Sequence, residues 1–190
     1  MLRIEHITSE GKALQTCIQL FSEYAHELNE DLCFQSFDTE LENPLKKYGL
    51  PSGALLLAYW NNEPVGCVAL TNITHTTTSH APETCISTTL NAAETHPSTS
   101  LRTSSNPPLR TCEMKRLYVQ PTFRKHKIGE ALVAAIILQA KELNYAIMKL
   151  DTLQRLQPAI QLYLKQGFVV TNAYYENPLP EVVYMEMVLG

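Results

Sequence analysis

The stretch Cys112 to Leu132, CEMKRLYVQPTFRKHKIGEAL, constrains this chain most, because it passes from strand to helix through a short, strongly basic turn. Leu117 is apolar, Tyr118 aromatic and Val119 β-branched, and Pro121 then stops the run, which predicts a strand entering a turn. Arg124, Lys125, His126 and Lys127 fill that turn. Ile128, Gly129 and Glu130 open a helix whose apolar face continues through Leu132, Val133, Ile136, Ile137, Ala140 and Leu143, with Asn144 placed to end it. Backbone N–H groups and cationic side chains therefore converge on one helix N-terminus. Its first N–H groups lack intrahelical partners and the macrodipole adds positive potential, so the tip suits phosphate. Ala146 to Leu150 follows as a short apolar run, ended by Asp151 or Thr152, and the helix supplies the crossover that a parallel strand pair requires.

The remaining elements read in order around this unit. Leu2 to Ile7 alternates as a first strand, and Thr8 or Ser9 is placed to cap a long helix with Leu14, Cys17, Ile18, Phe21, Tyr24, Ala25 and Leu28 along one stripe. Asn29 to Phe37 reads as a loop, and Asp38 as the cap of a short second helix that Pro44 bends or ends before Gly49. Ala54 to Trp60 and Val65 to Thr71 are apolar runs joined by a polar link of hairpin length, which predicts two antiparallel strands. From Ile73 to Arg110 threonine, serine, proline and histidine dominate and neither period is sustained, so this segment is expected to be a low-complexity insertion between the third and fourth strands of a single domain. Near the end, Pro158 suits the first turn of a last helix, with Ala159, Leu162 and Tyr163 inward and Gly167 at its left-handed end. Phe168 to Thr171 and Val182 to Leu189 are closing strands, separated by an aromatic loop that holds Tyr174 and Tyr175.

Three blocks carry a resemblance. Glu113 to Val119 is similar to the fourth strand of the GNAT superfamily of N-acetyltransferases. Arg124, Lys125, His126, Lys127, Ile128 and Gly129 resemble its R/Q-x-x-G-x-G/A segment, with Lys127 in place of the first glycine. Ala159, Ile160, Leu162, Tyr163, Gly167 and Phe168 resemble its A-I-x-L-Y-x-x-x-G-F helix end, with Leu156 where the family often has an asparagine. The blocks stand in family order and spacing, which is more specific than any one of them.

The resemblance implies an α/β fold with a mixed, seven-stranded sheet flanked by about four helices, and it implies acetyl-CoA as co-substrate. It implies that the fourth and fifth strands splay apart. The pantetheine would then lie along Leu117, Tyr118 and Val119, and the phosphates would meet Arg124 to Glu130. By the same likeness Glu113 is the general base and Tyr163 the general acid for acyl transfer to an amine. The residues themselves also allow Glu113 to be a carboxylate paired with Arg116, Lys115 or a neighbouring strand, and Tyr163 to be a core aromatic. The acceptor side implied by the resemblance nominates Tyr24, Glu27, Phe34, Gln35, Tyr174 and Tyr175. Aromatics and a carboxylate suit a cationic amine.

Composition narrows the alternatives. A net charge of −4 disfavours nucleic-acid binding as the main role, so the basic cluster is local. Five scattered cysteines, an odd count, fit a reducing compartment better than a disulfide framework. No basic segment followed by an apolar one opens the chain, and no apolar run approaches the ~20 residues of a membrane span, so the expectation is a cytoplasmic protein without membrane contact. His75, His80, Cys85 and His96 match no zinc spacing, and no metal is expected. No G-x-x-x-x-G-K-[ST] run supports a P-loop site. The leading expectation is an acetyl-CoA-dependent N-acetyltransferase of a small-molecule primary amine, and the other reading is a GNAT-fold module that holds acyl-CoA without turnover. Sheet edges leave a homodimer open.

Overall fold

The computed structural model describes residues 1–73 and 109–190, without the side chain of Phe34. The expected insertion, apart from its ends, lies outside the described residues, as do His75, His80, Cys85 and His96. Seven strands form one mixed sheet: β1 Leu2–His6, β2 Ala54–Trp60, β3 Glu63–Asn72, β4 Thr111–Val119, β5 Ile147–Leu153, β6 Val169–Thr171 and β7 Val182–Val188. Their spatial order is β1-β2-β3-β4-β5-β7-β6, and only β4 and β5 run parallel. The helices are α1 Lys12–Leu28, α2 Phe37–Glu42, α3 Pro44–Tyr48, α4 Ile128–Glu142 and α5 Gln157–Gln166.

The central strands are apolar almost throughout because both faces are covered. Leu56, Val68, Leu70, Met148 and Leu150 pack with Leu132, Val133, Ile136 and Ala140 of α4 on one face. Leu55, Leu57, Cys67 and Ala69 pack with Leu14, Cys17, Leu20 and Phe21 of α1 on the other. Each buried Leu, Ile, Val, Phe or Met among them contributes about 1.5–3 kcal/mol. The two layers hold the sheet from both sides, which fixes where the ends of β4 and β5 point.

Several boundaries differ from expectation for local reasons. α1 starts at Lys12, after Gly11 at φ 148°, ψ −172°, a conformation essentially confined to glycine, so neither Thr8 nor Ser9 caps it. The second helix is two. Asn43 ends α2, and its side chain accepts the Lys46 N–H at 3.2 Å to cap α3, where Pro44 fills the first turn. Asp38 lies inside α2, and a 3-10 turn, Cys33–Gln35, occupies the expected loop. The β2–β3 hairpin has Asn61 and Asn62 at φ 49° and 69°, the twist that a two-residue turn between strands requires. β5 runs on through Asp151 and Thr152 to Leu153, because β7 pairs with it along its whole length. Gly167, at φ 98°, ends α5 as expected.

Candidate active site

β4 and β5 pair only from Thr111–Ile147 to Glu113–Lys149. Beyond that point the strands have no ladder between them, and a cleft opens. Its walls are Met114 to Leu117 of β4, Leu150 to Thr152 of β5, and Leu156, Ala159 and Tyr163 on the α5 side, with Tyr24 and Gln35 across from them.

A bulge shapes the β4 wall. The β3–β4 register shifts between Cys67 and Ala69, and Arg116 has φ 56°. A bulge places two residues opposite one, so the alternation of side chains slips by one position. Met114 lies in the α4-side core, Tyr118 lies in the α1-side core, and Leu117 and Val119 pack on the α4 side. Lys115 and Arg116, adjacent in sequence, thereby both lie away from α4. Arg116 is 4 % exposed and donates to both carboxylate oxygens of Glu40 at 2.6 and 3.0 Å, with Lys47 on Glu40 at 2.9 Å and the Phe37 ring 4.9 Å from the guanidinium. Burial pushes the Glu40 carboxyl up, but the Arg116 bonds and the Lys47 charge outweigh it and hold it below its ordinary value.

Glu113 is buried at the last paired position. Its Oε1 accepts the Tyr174 hydroxyl at 2.7 Å, and its Oε2 lies 3.2 Å from Lys115 Nζ. Of its candidate partners, therefore, Lys115 and not Arg116 is the one in contact. Lys115 in turn lies 3.7 Å from Asp151 Oδ1, across the gap between the splayed strands. Asn177 donates to Asp151 Oδ2 at 3.2 Å and to the Tyr175 hydroxyl at 2.9 Å. A polar chain thus ties β4, β5 and the β6–β7 loop together at one mouth of the cleft. Burial, and then the neighbouring Glu113 and Asp151 charges, raise the Tyr174 and Tyr175 phenols well above their ordinary range, so both stay protonated.

Tyr163 stands on the α5 wall with its ring edge-on to Phe168, 5.9 Å between centroids. Its hydroxyl makes no hydrogen bond among the described residues, and burial raises its pKa. Such a phenol stays protonated at neutral pH, so a proton is present at the cleft wall for a basic leaving group.

At the tip of α4, Lys125 and Lys127 take φ 75° and 57°. Left-handed backbone costs a non-glycine residue about 1–2 kcal/mol, which is the physical reason a glycine would suit the position of Lys127. Arg124 donates to the Val119 carbonyl at 2.9 Å and to both oxygens of Glu27 at 2.6 and 2.7 Å, so two residues nominated for different ligands meet each other. The His126 ring lies against Trp60, 4.8 Å between centroids, and Glu130 pairs with Lys165 at 2.9 Å. Lys125 and Lys127 are exposed beside the first N–H groups of α4, and Ile128 is buried beneath them. Tyr118 faces α1 beside Ser22, Glu23, His26 and Glu27. Tyr24 and Gln35 reach the cleft, whereas Phe34 lies outside the described side chains.

The sequence profile of the "Acetyltransferase (GNAT) family" matches residues 15–168. The chain belongs to this family. An uncharacterized N-acetyltransferase of Schizosaccharomyces pombe is 40% identical over 169 residues, covering 88% of this chain and 83% of that protein. Among solved structures, an acetyltransferase from Streptococcus agalactiae matches with TM-score 0.67 at 16% identity over 98% of each chain. A GNAT family acetyltransferase from Elizabethkingia anophelis, with acetyl-CoA bound, matches with TM-score 0.58 at 20% identity over 98% of this chain and 97% of that one. The mixed seven-stranded sheet with its five helices is the GNAT fold.

In this GNAT chain the polar residues to which the sequence reading gave no role at the site are Asp151 at the cleft, Asn177 behind it and Glu40 beneath the bulge, while Lys115 and Arg116 were considered only as partners of Glu113. One signal was present. Two consecutive cations inside an apolar strand can share a face only where the strand bulges.

Proposed function

We propose that the protein transfers an acetyl group from acetyl-CoA to a primary amine of a small molecule. The observation that carries this reading is the loss of pairing between β4 and β5 just past Glu113, beside Tyr163. The free edge of β4 at Leu117, Tyr118 and Val119 offers main-chain groups to an extended pantetheine, and a strand N–H there would polarise the acetyl carbonyl. The phosphates would meet the N–H groups of Ile128, Gly129 and Glu130, with Arg124, Lys125, His126 and Lys127 around them.

Glu113 takes a proton from the acceptor ammonium, directly or through water. The free amine attacks the thioester carbonyl carbon, the C–N bond forms and the C–S bond breaks. Tyr163 gives its proton to the leaving thiolate and is reprotonated, through water, by the second proton that the nitrogen sheds as it becomes an amide. The acceptor enters past Tyr24, Gln35, Tyr174 and Tyr175. Glu27, held by Arg124, serves this entrance through the pair rather than alone.

Purified protein incubated with acetyl-CoA and a panel of amines should release free thiol in an amine-dependent way. CoA binding with no thiol release on any amine would favour the module that binds without turnover.

A further inference from the structure

Lys115 brings an ammonium, and Gln35 an unpartnered carbonyl oxygen, to the cleft. The Lys115 side chain is 8 % exposed, and its ammonium lies near Glu113 Oε2 at 3.2 Å and Asp151 Oδ1 at 3.7 Å. Both are ion pairs, and no hydrogen bond from Nζ is formed among the described residues. An ammonium has three N–H donors, so beside two carboxylates it keeps one to offer a ligand. Gln35 Oε1, in the 3-10 turn that follows α1, is a buried acceptor without a hydrogen-bond partner among the described residues. Both side chains line the same cleft, with Tyr24, Leu156 and Tyr163.

A spare donor and an unpartnered acceptor in one cleft describe the complement of a ligand that has both. A simple amine supplies N–H groups but no oxygen for Lys115. A carboxylic acid supplies oxygens but no donor for Gln35. Resting on the acetyltransferase reading above, we infer that the acceptor is a free α-amino acid, its carboxylate bound by Lys115 and its amino group directed to Gln35 Oε1 and Glu113.

The arrangement also links binding to chemistry. Glu113 reaches the cleft only behind Lys115, which lines it while Glu113 does not. A substrate carboxylate draws the Lys115 ammonium toward itself and away from Glu113 Oε2. That oxygen is then free to take the proton of the α-ammonium, while Oε1 stays fixed by the Tyr174 hydroxyl. A peptide N-terminus or a monoamine brings no carboxylate and leaves Lys115 on the base.

The test compares L-leucine, L-phenylalanine, L-glutamate and L-lysine with their carboxamides and with the matching amines that lack the carboxyl group, by thiol release from acetyl-CoA. At least one amino acid should exceed both of its analogues by about ten- to a hundredfold in kcat/KM, the range of one charge-assisted hydrogen bond. Lys115→Met should reduce that ratio to near one, and wild-type data alone decide the matter if this variant does not fold. Amides or simple amines acetylated as well as the amino acids would overturn the inference and leave the acetyltransferase reading standing. If no compound releases thiol, calorimetry of the CoA-loaded protein with the same amino acids separates the two claims. Binding that Lys115→Met abolishes supports the acceptor class while the transferase reading fails, and no binding overturns both.

Discussion

Arg116 and Glu40, 76 positions apart, meet through two hydrogen bonds of 2.6 and 3.0 Å in the interior between β4 and α2. This pair holds the bulge at the point where β4 leaves β5, so it supports the cleft without lining up for chemistry itself. A buried bidentate pair gains little over an apolar pair of similar volume, yet breaking it leaves one charge uncompensated.

Glu40→Ala should therefore destabilise the fold by about 3–5 kcal/mol, measured as the loss in urea unfolding free energy. The double variant Glu40→Leu with Arg116→Met should recover most of that loss. A double variant no more stable than Glu40→Ala would show that the pair stabilises by more than mutual charge compensation.

The same pair sets a pH dependence. The folded-state pKa of Glu40 is depressed, so the unfolded chain binds this proton more readily. Its contribution to stability is full above the ordinary carboxylate value of about 4.3 and is lost as pH falls through the folded-state value. Unfolding midpoints from pH 7 downward should fall more steeply for the wild type than for Glu40→Gln, which cannot titrate there. Parallel curves would remove Glu40 from the acid transition.

Tyr163→Phe keeps the ring on Phe168 and removes only the proton donor. The maximal rate should drop by about 10²–10⁴-fold, the usual share of a general acid, with CoA affinity nearly unchanged. Equal loss of rate and affinity would mean that the hydroxyl positions the ligand.

Gly129 tests the helix tip. A Cβ there would meet Leu162 Cδ2 at 3.6 Å and Val119 Cγ2 at 3.9 Å, ordinary contacts that the protein accepts. Gly129→Ala should thus raise stability by about 0.5–1 kcal/mol, the helix preference for alanine. It should leave CoA affinity nearly unchanged, because the methyl group faces Leu162 and Val119 and the family segment accepts alanine at this position. A large loss of affinity in calorimetry would show that a phosphate comes against this Cα.

Much of the architecture was legible because it rests on short-range pattern. Alternation marked the strands, a three-to-four spacing marked α1, and the basic turn before Ile128 marked the tip of α4. The parts that were misplaced have local causes of a different kind. Gly11 starts α1 through a backbone conformation rather than a side-chain cap, and Asn43 splits one expected helix into two. β5 outran its expected end because pairing with β7, a distant segment, carries Asp151 and Thr152 along.

The order of amino acids alone determined the strand-turn-helix unit, the apolar faces and the family likeness, since periodicity and free helix N–H groups act over a few residues. Only the tertiary structure decided which charges meet. Whether Lys115 faces Glu113, Arg116 faces Glu40, or Arg124 faces Glu27 depends on a bulge and on segments brought from far along the chain. The energy of each pair depends on burial, and burial is a property of the packed fold.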